Sequence, residues 1–117
     1  MYRLSMPEDS VGVPPGTLIM LVLRVLQAGP LHGYAIAQRL HALSSEVLQI
    51  EEGSLYPALQ KLLIKGWAKG EWGLSETNRK VRFYTLTPAG RKHLAGEVKD
   101  YDKVTLAIQS ILHPSRT

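Results

Sequence analysis

The stretch Glu51 to Gly66, EEGSLYPALQKLLIKG, gathers the most usable polar chemistry of the chain onto one short segment. Ser54 offers a hydroxyl and Lys61 a cation, with Tyr56, Gln60 and Lys65 at the margins. Such groups donate to phosphate oxygens and to base edges, which is what a helix needs in a DNA major groove. Leu55, Leu59, Leu62 and Leu63 follow the i, i+4, i+7, i+8 spacing of a core-facing stripe, whereas Ser54, Pro57, Lys61 and Ile64 fall on the far side. The spacing predicts a helix with one buried and one offered face. Ser54 would cap it, Pro57 would sit harmlessly in its first turn, and Gly66 would stop it. A merely solvated face has similar polarity, so the surrounding segments must decide.

Other chemistries are poorly provided for. His32, His41, His93 and His113 are scattered, with no spacing suited to a metal. Glu51 and Glu52 are adjacent and project about 100° apart on a helix, a poor general acid and base pair. Cysteine is absent, and no glycine-rich phosphate loop occurs. Single polar residues such as His32 and Tyr34 read first as structural hydrogen-bonders. The expectation is therefore no enzyme, no metal and no cofactor.

Charge points the same way as the offered helix. Between Gly53 and Lys92 stand eight basic residues against two acidic ones, although the whole chain carries a formal charge of only +4. A positive field confined to one segment suits a polyanion and steers it to that side. With 117 residues there is room for one domain with a real core. The lack of cysteine fits a reducing cytoplasm. The apolar run Leu18 to Leu26 is broken by Arg24 and is about half the length a bilayer demands. Met1 to Gly16 lacks the flanks of a secretory signal. A soluble, cytoplasmic protein without membrane contact is expected.

The elements that must position the offered helix follow in order. Met1 to Gly16 reads as a mobile arm, since MPEDSVGVPPG combines breakers with charge. Thr17 can cap a first helix that is apolar nearly all round, more than a small domain should cover alone, and a first hint of a dimer. LHGYAIAQRLHAL predicts a second helix with Ile36, Leu40 and Leu43 on its apolar stripe, and Ser44 to Ile50 the connection onward. Two short helices joined by a turn make a helix-turn-helix reading natural. Trp67 to Trp72 and Val81 to Leu86 then predict a β-hairpin around the loop GLSETNRK, with Arg79 and Lys80 where loop meets strand. Alternation leaves the buried face of the second strand open. Thr87 and Pro88 announce a last helix that reaches Leu112, about 37 Å at the usual rise and too long for the domain to cover. Leu94, Val98, Tyr101, Thr105, Ile108 and Leu112 fall at heptad spacing along it. Gly90 and Gly96 weaken it locally.

Three segments, LHGYAIAQRL, EEGSLYPALQKLLIKGW and RFYTLTPAGRKHL, resemble the signature segments of the PadR family of transcriptional regulators. The resemblance runs from about Gly16 to Ile108. It implies a mainly α protein with a small β-hairpin wing: a winged helix-turn-helix DNA-binding domain over residues 17–87, after an arm at 1–16. The recognition helix would span about 53–66 and the wing about 67–86. The long C-terminal helix at 88–113 would clasp a second subunit. It also implies a homodimeric repressor on an inverted-repeat operator, with Leu18, Leu21 and Val22 of the first helix aiding the clasp. By position, Ser54, Leu55, Tyr56 and Pro57 match the start of the family's recognition helix, Tyr34 its HGY segment, and Arg79, Lys80 and Arg82 its wing. Two departures stand out. Leu62, Leu63 and Ile64 occupy a region that often carries an acidic residue, and Tyr101 stands where multidrug-binding members place a tryptophan between subunits. A flat aromatic effector stacked on Tyr101 remains an expectation. The alternative to a DNA-binding regulator is a winged-helix module that docks an acidic protein.

Overall fold

In the computed structural model, residues 10–14 and 16–115 are described. A short strand β1 (Val11–Gly12) leads into α1 (Leu18–Leu26), followed by strand β2 (Leu31–His32) and helix α2 (Gly33–Leu43). Strand β3 (Leu48–Gln49) precedes α3 (Glu52–Lys65), the hairpin strands β4 (Ala68–Leu74) and β5 (Lys80–Leu86), and the terminal α4 (Pro88–Leu112). The segment expected to be a loose arm is partly tied down: β1 runs parallel to β3, and the Val11 N–H donates to the Val47 carbonyl at 2.8 Å. Residues 1–9 and 15 of that arm lie outside the described residues.

Helices α1, α2 and α3 pack together under the hairpin, and Val22, Leu23, Leu26, Ile36, Leu59 and Leu62 form the fully buried centre. Burial of side chains of this size stabilises the fold by roughly 1.5–3 kcal/mol each. The first helix corrects an expectation, because α2, α3, β5 and α4 of the same chain cover most of it. Val22 is wholly buried there, and Leu94 of α4 is 3% exposed, so neither presents surface to a second subunit. Leu43, expected on the apolar stripe of α2, is exposed instead. Thr17 stands at the cap position of α1, but its hydroxyl donates to the Pro14 carbonyl and satisfies no helix N–H.

The hairpin ladder pairs Trp72 with Arg82, Gly70 with Tyr84 and Ala68 with Leu86. Directly paired residues project to one face, so this face carries Ala68, Tyr84 and Leu86, all buried, at its base and exposed Trp72 and Lys80 towards its tip. One face thus serves as core below and as open surface above. Strand β2, within the stretch expected to be purely helical, pairs with β5 to make a three-stranded sheet of order β2-β5-β4. The loop shrinks to Ser75–Arg79, where Asn78 takes a left-handed φ of 63°. Asn and Asp tolerate that region better than other residues bearing a Cβ.

The start of α4 is knotted to the end of α3. The Thr87 hydroxyl accepts from the Gly90 N–H at 3.0 Å, capping α4, and donates to the Gly66 carbonyl at 2.7 Å. Gly66, at φ 76°, ends α3 in the left-handed cap that glycine adopts without penalty. Gly90 is buried, and a Cβ there would run into the Trp67 carbonyl. It is a packing requirement rather than a local weakness. Beyond Val98 the helix leaves the domain. The radius of gyration is 16.1 Å, against about 13 Å for a compact chain of this length.

Candidate nucleic-acid interface

Helix α3 divides as its spacing predicts. Leu55, Leu59 and Leu62 are buried with Ala58, Leu63 is half-buried, and Ser54, Pro57, Lys61 and Ile64 are exposed. Its beginning differs. Glu51 is the cap, with no side-chain hydrogen bond, so Ser54 lies inside the first turn and Pro57 in the second. Pro57 therefore has no N–H to give the Gly53 carbonyl.

Five of the residues singled out by sequence meet at one place. Tyr34 from the start of α2, Tyr56 and Gln60 from α3, and Lys80 and Arg82 from β5 line a cleft of about 430 Å³ between helix and wing. Lys61 and Lys65 are not in it: they stand about 100° or more around α3 from Gln60, on the edge away from the wing. Arg79 lies around the wing tip, beside a second hollow between β5 and α2 that Tyr34 also borders. Among the described residues no lysine or arginine pairs with a carboxylate; the one close contact of a basic side chain with a carboxylate joins His93 Nε2 and Glu97 Oε1 at 3.2 Å within α4. The cations of α3 and the wing are thus uncompensated, which is the footprint expected of a polyanion-binding face.

Sequence reasoning missed Trp72. It is 64% exposed and opposes Arg82 on the ladder. Lys80 Nζ lies 5.4 Å and Arg82 Cζ 5.8 Å from its ring centroid, within cation–π range. Only the hairpin register brings these three together, and the sequence offers no signal for register here. Gly70 completes the arrangement: a side chain at that position would collide with the Arg82 guanidinium. Arg82 Nε is buried and finds no acceptor among the described residues. At the floor, burial pushes the Tyr84 hydroxyl above the ordinary tyrosine value; the nearby Arg82 charge opposes this rise and Tyr56 adds to it.

The second exposed feature is the distal part of α4. Tyr101, Ile108 and Leu112 are exposed and Thr105 half-buried, and exposed Val104 and Ile111 widen the same stripe. Leu18 and Leu21 are half-buried on α1. Tyr101 borders neither cleft of the single chain. Among the described residues no helix is long and apolar enough to cross a membrane, and no group of three or more metal-ligating side chains occurs.

A three-helix core, a hairpin packed on its second and third helices, and a long terminal helix define a winged helix-turn-helix protein. Residues 22–96 match the family model of the transcriptional regulator PadR-like family, so the chain belongs to that family of transcriptional regulators. It is similar to a transcriptional regulator from Clostridium thermocellum, with 26% identity, a TM-score of 0.74 and coverage of 81% of this chain and 92% of that one. It is likewise similar to a PadR family transcriptional regulator from Eggerthella lenta, at 27% identity and TM-score 0.70 over 86% of this chain and 85% of the other. An uncharacterized 37.1 kDa protein in transposon TN4556 of Streptomyces fradiae is 44% identical over 78 residues, which are 67% of this chain and 21% of that protein. The chain thus spans about a fifth of that longer relative.

Proposed function

We propose that this protein is a homodimeric, sequence-specific DNA-binding repressor that acts at an inverted-repeat operator. The observation that carries the reading is the convergence of Tyr34, Tyr56, Gln60, Lys80 and Arg82 on one face whose cations have no carboxylate partner among the described residues. In this reading α3 enters the major groove. Ser54, Tyr56, Pro57 and Gln60 approach base edges or the adjacent backbone, and Lys61 and Lys65 meet phosphates on the edge away from the wing. Arg79, Lys80 and Arg82 hold the wing to the flanking strand. Tyr101, Thr105, Ile108 and Leu112, with Val104 and Ile111, close on the same stripe of a second copy. Leu18, Leu21 and Val98 flank the contact. Two α3 helices then stand about 34 Å apart, one turn of duplex. Tyr101 would lie between the subunits, where a flat aromatic effector can bias their spacing.

Binding of the chain to the DNA upstream of its own gene tests this directly. Gel shift combined with sedimentation should give a salt-sensitive, sequence-dependent complex of two chains per site. A lone subunit with no preference for any duplex would sink the proposal and leave a protein-docking module.

A further inference from the structure

The hairpin ends in apolar side chains that stay in water. Trp72 and Leu74, on β4, are 64% and 63% exposed and pair across the ladder with Arg82 and Lys80. Paired residues project to one face, so all four leave the side of the hairpin that carries Ala68, Tyr84 and Leu86 into the core at its base. The Trp72 ring cannot fold back onto the domain, because the Arg82 guanidinium fills the place beside Gly70 below it and the Lys80 ammonium flanks it at 5.4 Å. A wing that only gripped phosphates would need the cations and would gain nothing from a bare indole and a bare leucine next to them.

Cations beside apolar side chains at the end of a narrow ribbon suit a minor groove. The charges lie along its phosphate walls, and the apolar groups enter between two base pairs, unstacking them and bending the duplex. The reach is sufficient: from buried Ala68 to Leu74 the strand rises about 20 Å, and the minor groove beside an occupied major groove lies half a helical turn away, about 17 Å. We propose that the wing tip is a wedge, in which Trp72 and Leu74 open one base step in the minor groove flanking α3 while Arg79, Lys80 and Arg82 hold the phosphates on either side. The inference rests on the reading of α3 and the wing as the DNA-binding face. What it adds is a deformed duplex, and with it a sequence preference at base pairs that no side chain reads by hydrogen bonding. Pyrimidine–purine steps, which kink most easily, are favoured under the wing.

The full chain is bound to the duplex upstream of its own gene, and bending is read from the gel mobility of circularly permuted fragments. The parent should bend the duplex by about 20–90°. Trp72 emission, identified by its loss in Trp72→Phe, should be quenched by the bases, while Trp67, stacked on His93 at 3.6 Å, keeps its own. A double variant, Trp72→Thr with Leu74→Thr, whose circular dichroism matches the parent, loses no cation and should keep the slope of log affinity against log salt. It should nevertheless lose the bend and bind about tenfold more weakly. A second duplex carries a two-base mismatch at the centre of the bend, where the bases are already unpaired. The parent should bind it about tenfold more tightly than the paired duplex, and the double variant should lose that preference.

The bend and the quenching are measured on the parent, so neither depends on how the variant folds. A duplex that is bound but straight, or an equal mismatch preference in parent and double variant, overturns the wedge and leaves the DNA reading of this face standing. Failure to bind any duplex overturns both. If the double variant bends DNA as the parent does but sediments as a smaller species, Trp72 and Leu74 belong to a contact between subunits and the wedge falls.

Discussion

The outer side of α3 with its wing, and the distal half of α4, both face solvent without a partner among the described residues, yet they lack opposite things. The first has cations and aromatic rings, and among the described residues none of those cations is paired with a carboxylate. The second carries both signs of charge on its flanks, at Asp102 and Lys103, and what it lacks is cover for Tyr101, Val104, Ile108 and Ile111. A surface short of counter-charge selects a polyanion and weakens as salt rises. A bare apolar stripe selects another such stripe and is little affected by salt. One salt titration should therefore separate the two: duplex binding collapses while self-association persists.

The sharpest way to break this comparison is Ile108→Asp, which places a charge in the middle of the apolar stripe. Self-association should weaken by roughly a thousandfold, measured by sedimentation, with circular dichroism unchanged. A variant that still sediments as the parent does would show that the stripe is not the contact. Gly90→Ala probes the packed half of the same helix. The new methyl group meets the Trp67 carbonyl, and unfolding in urea should show a loss of about 3 kcal/mol. Equal stability would mean that α4 can shift on its seat.

Smaller effects sharpen the charged side. Lys61→Ala and Arg79→Ala should each reduce duplex affinity by about fivefold and lower the slope of log affinity against log salt by about one. Unaltered slopes in both would remove these residues from the phosphate contacts. The least effect is expected from Tyr84. Its hydroxyl titrates above the ordinary tyrosine value because it is buried, so the folded state holds its proton where the unfolded chain has lost it. Stability is then fully present below the ordinary tyrosine value and falls as pH rises through the interval up to the raised one. Tyr84→Phe should flatten that alkaline loss in thermal melts.

Legibility in the sequence followed regularity of environment. The two sides of α3 could be read because a helix packed by one face along its whole length repeats one burial pattern. The start of α4 was readable from Thr87 and Pro88, since a cap is a local device. The β5 face escaped because Tyr84 and Arg82 share it while facing core and cleft respectively, so alternation had no constant meaning. Ser54 was misplaced as a cap because α3 begins earlier, at Glu52, without using a hydroxyl. Strands of two residues, such as Leu31–His32, are too short to show a period. Val22 and Leu94 looked available for a partner because spacing tells which residues share a face, not which neighbour covers it. Trp72 depended on register, and register is tertiary information.

The single hydroxyl of Thr87, which bridges the end of α3 and the first turn of α4, has a mechanical meaning. It is a fulcrum. The part of α4 that projects beyond Val98 forms one arm of a crowbar, and α3 is clamped close to the pivot. Over the roughly 21 Å of helix that projects beyond Val98, each degree of swing moves the far end by roughly 0.4 Å. If two copies grip each other by those far ends, a slight regrip there must re-aim the opposite ends of the pair, with no hinge in between to absorb it.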